Sequence, residues 1–513
     1  MDAPSLIERL EHWADSQPSA IFLKDLETGD SLTYLQFLNA VRGFQRQLGP
    51  ESRTIALALA GGTGAAVAWI AALTGGHLLI PCSPEATSDE NARLAATYRP
   101  NTAIVVSADA ARSFGATVTQ TITAEQLITS IAEWSAHPVP GTLDGNADRP
   151  DSGFVCLTTS GTTGTPKGVR LRGDQVAWTA DQIRLRHQLT TEDRGLCILP
   201  FFHINAPVVS LCTTLMAGGM VVVAPRFSRS RFWNWIESEQ ITWASIVPTI
   251  LAVLLQTERP AWLPGSLRFV RTASAPLPLV QLRSFEKRFG IPVIETYGLS
   301  EAAATVAANP VPPERYKPGS VGLPLGVSLR VCYPRDEEYP NLLSDVVRGE
   351  EGEICISGPS VIAQYDNGAS STSFCDEWFR TGDLGYLDDD GFLFITGRMK
   401  DVINRGGEKI APREVEEILL AHPLVRDAAV VAEPDPIYGQ QAVAYVVLNE
   451  FEGSYSFTSL REYCALKLSV YKIPSRFISV KELPRTRTGK IQRHLVGVPS
   501  AIPSARNVRY GVA

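Results

Sequence analysis

No Cys-x-x-Cys pair occurs in the chain, and its 8 cysteines are scattered, so neither a thiolate zinc site nor a disulfide framework is indicated. Reduced thiols in a cytoplasmic protein are expected. An excess of positive charge is lacking too: 47 Lys and Arg against 54 Asp and Glu leave a formal net charge of −7, and no basic surface for nucleic acid. The opening residues, MDAPSLIERLEHW, carry acids where an export signal carries bases. They predict an amphipathic helix with Leu6, Ile7, Leu10 and Trp13 on one face. From Ile55 to Cys82 no Asp, Glu, Lys or Arg occurs, a run longer than the ~20 apolar residues that span a bilayer. Gly61, Gly62, Gly64, Gly75 and Gly76 divide it into a strand (Thr54–Ala60), a short helix (Ala65–Leu73) and a second strand (His77–Pro81), so buried core is predicted and stable membrane insertion is not. Internal repeats are absent as well.

What is present is a chain of 513 residues, too long for one ordinary core, with 44% hydrophobic and 20% charged residues and 40 Gly beside 35 Pro. That composition fits a loop-punctuated α/β enzyme. From Ser31 to Pro225 short runs such as IALALA, TAIVV, FVCLTT, GLCILP and MVVVAP alternate with helical stretches, which predicts doubly wound, mostly parallel sheets. ITWASIVP, LRFVRTAS and PVIETYG continue the pattern. After Gly319 hairpin-like strands and the turn Asp388-Asp389-Asp390-Gly391 predict a β-rich subdomain. Beyond Gly397 a charged segment leads to a helix (Pro412–Ala421), strands (Ala428–Ala432, Ala442–Leu448), a helix near Leu460–Leu468 and a strand near Phe477–Val480. The expected division is a large domain over residues 1–399 and a small α+β domain over 400–513. The stretch from Gly497 onward lacks periodicity.

The segment Thr158-Thr159-Ser160-Gly161-Thr162-Thr163-Gly164-Thr165-Pro166-Lys167-Gly168 directly follows a predicted buried strand. It reads as a phosphate cradle: glycines admit backbone N–H groups to a polyphosphate, hydroxyls donate further bonds and Lys167 adds charge. GxxxxGK[ST] spacing is missing, so it is not the P-loop of nucleotidases. The segment resembles the phosphate loop of the adenylate-forming superfamily, which includes acyl- and aryl-CoA synthetases, luciferase and peptide-synthetase adenylation domains. Further motifs resemble that family's in order and spacing across nearly the whole chain. Glu295-Thr296-Tyr297-Gly298-Leu299-Ser300-Glu301 resembles YGxTE, with Ser300 in place of the commoner Thr. The resemblance implies a hydroxyl at the α-phosphate, Glu301 and Thr159 as Mg²⁺ contacts, and Glu295 near the adenine amine. Ser274-Ala275-Pro276-Leu277 resembles the small-residue turn beside adenine and acyl pocket. Thr381-Gly382-Asp383 and Gly397-Arg398 resemble the two ribose-binding motifs, Lys400 the domain hinge, and the loop Arg487-Thr488-Gly489-Lys490 the one carrying the catalytic lysine. A mobile ammonium suits that task, because negative charge builds on oxygens as pyrophosphate leaves.

Phe201-Phe202-His203-Ile204-Asn205 resembles the segment between acyl pocket and thiol channel, with His203 the candidate site residue. Amino-acid-activating relatives place an Asp where His203 stands, so an acid without an α-amine is implied. Asn404-Arg405-Gly406-Gly407-Glu408-Lys409 resembles the turn that CoA ligases bring to the site after domain rotation, with Gly406 and Gly407 beside the pantetheine arm. The expected ligands are ATP, Mg²⁺, a fatty, aryl or other carboxylic acid, and coenzyme A. An amide synthetase or a carrier-protein acyl-AMP ligase would use the same adenylate, and a noncatalytic relative would bind ATP alone. Intact Glu301, Asp383, Arg398 and Lys490 oppose the last. Oligomeric state stays open.

Overall fold

The computed structural model describes residues 4–137, 139, 153–159, 167–335, 343–366, 371–449, 457–486 and 489–498. The predicted first helix forms as Leu6–Ser16. Ser5 and Glu8 close a reciprocal capping box at its start, which satisfies two backbone N–H groups that lack helical partners. Leu6, Leu10 and Ala14 are its buried face, while Ile7 and Trp13 pack at the margin of the core.

Among the described residues the strands form four sheets. In one, Gln120–Thr123, Thr102–Val105, Thr54–Ala58, Leu78–Pro81 and Phe154–Thr159 run parallel, and Lys167–Arg172 closes the edge antiparallel. The uncharged run supplies two of these strands and the helix between them, Gly62–Thr74, in which every residue from Thr63 to Thr74 is buried. Alanines account for this: Ala65, Ala66, Ala68, Ala71 and Ala72 let sheet and neighbouring helices approach on all sides. No helix among the described residues is long and apolar enough to cross a membrane.

The second sheet holds the parallel strands Ile21–Asp25, Met220–Val223, Arg194–Cys197, Trp243–Ile246, Phe269–Thr272 and Val293–Tyr297 side by side. Their Val, Ile and Leu content matches strands covered on both faces. The β-rich unit past Gly319 is antiparallel: Ser328–Cys332, Gly352–Ser357 and Trp378–Leu387 lie in sequence, with Leu393–Arg398 also paired to Trp378–Leu387. Its tip is the predicted Asp388–Gly391 turn, where Lys317 bridges the Asp388 and Asp390 carboxylates.

From Ile403 onward a separate core gathers Ile403, Ile410, Val415, Leu419, Val430, Ala444, Val446 and Leu460. Helix Pro412–Leu420 starts with proline at its first position, where the missing N–H costs nothing. The predicted strand Ala428–Ala432 extends over Val425–Asp435 in a long hairpin with Gly439–Leu448. Beyond these lie helix Phe457–Ala465 and strand Arg476–Ser479.

Candidate active site

The parallel strands Trp243–Ile246, Phe269–Thr272 and Val293–Tyr297 end on one edge of their sheet, the place where α/β sheets hold ligands. A cleft of about 470 Å³ opens there. Ser274, Ala275, Glu295, Thr296 and Tyr297 line it from these strand ends. Asp383 and Arg398 line it from the β-rich unit, and Arg413, Glu417 and Lys490 from the small core. Eight predicted site residues are thus brought together from segments almost 220 residues apart in sequence, from Ser274 to Lys490.

Asp383 and Arg398 are cross-strand partners in the antiparallel pair, so their opposite charges meet face to face. Arg398 Nε lies 2.6 Å from Asp383 Oδ1, and the Tyr297 hydroxyl donates to Asp383 Oδ2 at 2.6 Å. Burial, followed by the Asp383 charge, holds the Tyr297 phenol well above its ordinary range, so it stays a donor. Behind this trio Glu353 accepts from Arg380 Nη1 at 2.5 Å and from the Gly382 N–H at 3.2 Å, which anchors the turn before Asp383.

Glu295 is only 4% exposed, and its Oε2 accepts the Gly319 N–H at 2.7 Å. Burial pushes its carboxyl up to about 7; the Gly319 N–H and the Arg413 charge offset only part of that rise. Glu301 stands outside the cleft lining. Its Oε1 accepts the Tyr365 hydroxyl at 2.9 Å, and Oε2 remains to serve as a hard oxygen donor. That donor chemistry fits Mg²⁺, which takes one or two carboxylates and draws its other ligands from water and phosphate.

Lys490 keeps contact with solvent yet sits within a charged ring. Burial among the cleft walls, then the Arg398 charge, lowers its amine to about 8, against an opposing pull from Asp383. Its loop is tied at both ends: Arg485 donates to Asp427 at 2.6 Å and to the Gly489 carbonyl at 2.5 Å, and the Lys490 N–H donates to Thr486 Oγ1 at 3.1 Å. Gly489 has φ +83°, and a Cβ there would lie 2.7 Å from Thr249 Cγ2 in the large domain. Any side chain would hold the loop off the cleft.

Other predicted residues lie apart. Ser160, Gly161, Thr162, Thr163 and Gly164 fall outside the described residues; Thr159 and Lys167 pair in register at the strand ends that flank them, their side chains undescribed. Ser300 begins a short helical turn beside Glu301. The His203 ring packs at a tilt 4.6 Å from Phe202 and does not line the cleft. Lys400 is the exposed residue of the short turn Met399–Asp401. Gly406 and Gly407 turn the hairpin Ile403–Ile410, away from the cleft lining. Glu353, Tyr365, Gly319, Arg413 and Glu417 carry no site motif in the sequence. Each acts through a partner more than 20 residues away, or lies outside every recognisable motif.

Comparison with known proteins gives the family. The chain belongs to the AMP-binding enzyme family: residues 10–366 match that family, and residues 414–490 match the AMP-binding enzyme C-terminal domain. It is 42% identical over 374 residues to the sulfoacetate–CoA ligase of Cupriavidus necator, covering 72% of each chain. It is 38% identical over 362 residues to the oxalate–CoA ligase of Arabidopsis thaliana, covering 68% of each. The ATP-bound structure of MatB from Rhodopseudomonas palustris superposes with a TM-score of 0.85 at 26% identity, over 96% of this chain and 98% of that one. The protein is accordingly an AMP-forming acid–thiol ligase with ATP, a carboxylic acid and coenzyme A as substrates.

Proposed function

We infer that the protein activates a small carboxylic acid lacking an α-amine, by two half-reactions in one cleft. The observation that carries this reading is the convergence of Lys490 with Asp383, Arg398 and Tyr297, groups of two separate cores, around a single cavity. Sulfoacetate and oxalate in the relatives' names support a small acid, and His203, where an amine-binding Asp would stand, supports the missing α-amine.

In the first half-reaction a carboxylate oxygen attacks the α-phosphorus of ATP and pyrophosphate leaves. Asp383 takes the ribose hydroxyls, with Arg398 and Tyr297 fixing its orientation. Glu295 faces the adenine amine, and Ser274 with Ala275 leaves room for the base. Thr296 and Ser300 present hydroxyls to the α-phosphate, and Thr159 to Gly164 with Lys167 cradle the β- and γ-phosphates. Lys490 supports charge on the bridging and leaving oxygens. Glu301 and Thr159 would hold Mg²⁺, which neutralises phosphate charge when bound.

In the second half-reaction residues 400–513 rotate about Lys400 against residues 1–399, withdrawing Lys490 and presenting Gly406 and Gly407 to the pantetheine arm. The thiol then attacks the acyl carbon past His203, and AMP leaves. Eight buried free cysteines suit a reducing cytoplasm.

The test is acid-dependent pyrophosphate release with mass analysis of products formed with CoA and, separately, with amines or a carrier protein. A CoA thioester of a small acid is expected. Pyrophosphate release that yields only an amide or a carrier-bound acyl group would overturn the acceptor assignment.

A further inference from the structure

Arg271 lies on the strand Phe269–Thr272, in the middle of the large domain's sheet, with 1% of its surface exposed. A guanidinium carries five N–H donors. Here Nη2 donates to Thr305 Oγ1 at 2.7 Å, while Nε and Nη1 have no partner among the described residues. No carboxylate among the described residues pairs with it. Burial lowers its pKa to about 9, so it is still a cation at neutral pH. The nearby His187 imidazole, fully buried, is pushed well below its ordinary range by burial and then by Arg271, and remains neutral. A sealed, uncompensated cation of this kind is costly unless something anionic completes it.

The position of Arg271 identifies what completes it. Ser245 stands in register beside it on the neighbouring parallel strand, and therefore on the same face of the sheet. Ser245 Oγ donates to Asn205 Oδ1 at 3.2 Å, and Asn205 Nδ2 donates to Ser274 Oγ at 3.3 Å. Ser274 lines the nucleotide cleft. Thr305, the one hydrogen-bond partner Arg271 has among the described residues, follows four residues after Glu301. The bonded row Ser274, Asn205 and Ser245 therefore leads inward from the cleft to the strand position beside Arg271, which lies behind the cleft lining with unused donors. Resting on the acid-activating reading above, we propose that Arg271 is a specificity-determining residue that binds a second anionic group, carboxylate or sulfonate, on the acid being activated.

The spacing limits the size of that acid. Arg271 and Ser274 are three residues apart, no more than about 11 Å of chain, and the arginine side chain takes up part of that span. The two acid groups accordingly belong on a short carbon skeleton. One carboxylate reaches the α-phosphate, and the other group remains ionised against Arg271 throughout, without taking part in bond making.

The experiment compares malonate, succinate and 3-sulfopropionate with acetate, propionate and butyrate, in wild type and Arg271→Met, by pyrophosphate release and thioester formation. Wild type should favour the dianions by about 100-fold in kcat/KM, and Arg271→Met should erase that preference, chiefly through KM. Carboxylate and sulfonate arms separate the two anion types. Wild-type preference for monoanions, or equal loss on both classes in Arg271→Met, would overturn the proposal. If Arg271→Met does not fold, shown by loss of ATP binding, Arg271→Gln is read in the same way. Pyrophosphate release with monoanions only refutes the Arg271 assignment and spares the ligase reading, whereas release with no acid at all refutes both.

Discussion

Asp383 and Lys490 face the same cleft but are held in opposite ways. Asp383 sits at 4% exposure in a sheet, gripped by Arg398 and Tyr297 at 2.6 Å each, with Glu353 and Arg380 bracing the turn behind it. Lys490 lies on a short loop from a different hydrophobic core, between the cleft walls but still reached by solvent, its backbone tied to Thr486. In the proposed mechanism the large domain thus presents a rigid nucleotide surface, and the small domain a removable charge. Recognition groups gain from locked rotamers, whereas a group that serves one half-reaction must be able to leave for the next.

The largest effect expected from breaking this contrast is at Lys490. Lys490→Ala should slow adenylation about 10²–10³-fold while thioester formation from preformed acyl-AMP continues. Equal loss in both half-reactions would refute the assignment. With its amine near 8, adenylation should decline as pH rises through about 8, because the ammonium is lost; Lys490→Arg should move that decline to higher pH. On the rigid wall, Asp383→Asn should raise KM for ATP roughly 10–100-fold, since charge-assisted bonds contribute about 1.5–3 kcal/mol. Titration calorimetry with AMP checks this, and a loss confined to the CoA step would contradict it.

Gly407→Val sharpens the contrast from the other side. Gly407 has φ +98°, which a β-branched residue strongly resists. The thioester step should slow about tenfold while pyrophosphate exchange persists, as single-turnover measurements would reveal. A smaller effect is expected at Glu295, whose carboxyl is raised to about 7. Below that pH the carboxyl is protonated and above it the carboxylate can take the adenine amine in its proposed role, so KM for ATP should improve several-fold as pH rises through about 7. Glu295→Gln should flatten this profile. The smallest change belongs to Glu417→Ala, which removes a 3.4 Å bond from the Leu279 N–H to the small domain. Less than about 1 kcal/mol of closure free energy should be lost, seen as a modest rise in protease accessibility near Lys400.

The division into sheets and the helix Pro412–Leu420 were legible because apolar periodicity follows local geometry. The strand Val425–Asp435 is longer than its apolar pattern because Arg426, Asp427 and Glu433 are polar: the hairpin register holds Asp427 and Glu433, while Arg426 sits at an irregularity in it. The segment Asn205–Cys212, a rare wide helical turn, could not be read from sequence, since its backbone follows from packing against the sheet. Among the site residues, Asp383, Arg398 and Lys490 were readable as motifs. Glu353 and Tyr365 were not, because their partners are 27 to 64 residues distant.

The sequence by itself determined the family's chemistry: which residue types occupy which motif positions, and in what order along the chain. Only the tertiary structure decided that Lys490 shares a cleft with Asp383, that burial raises Glu295 and lowers Lys490, and that Arg271 keeps two guanidinium nitrogens unpaired. Residue identity sets what a group can do, but desolvation and pairing depend on which distant segments fold around it.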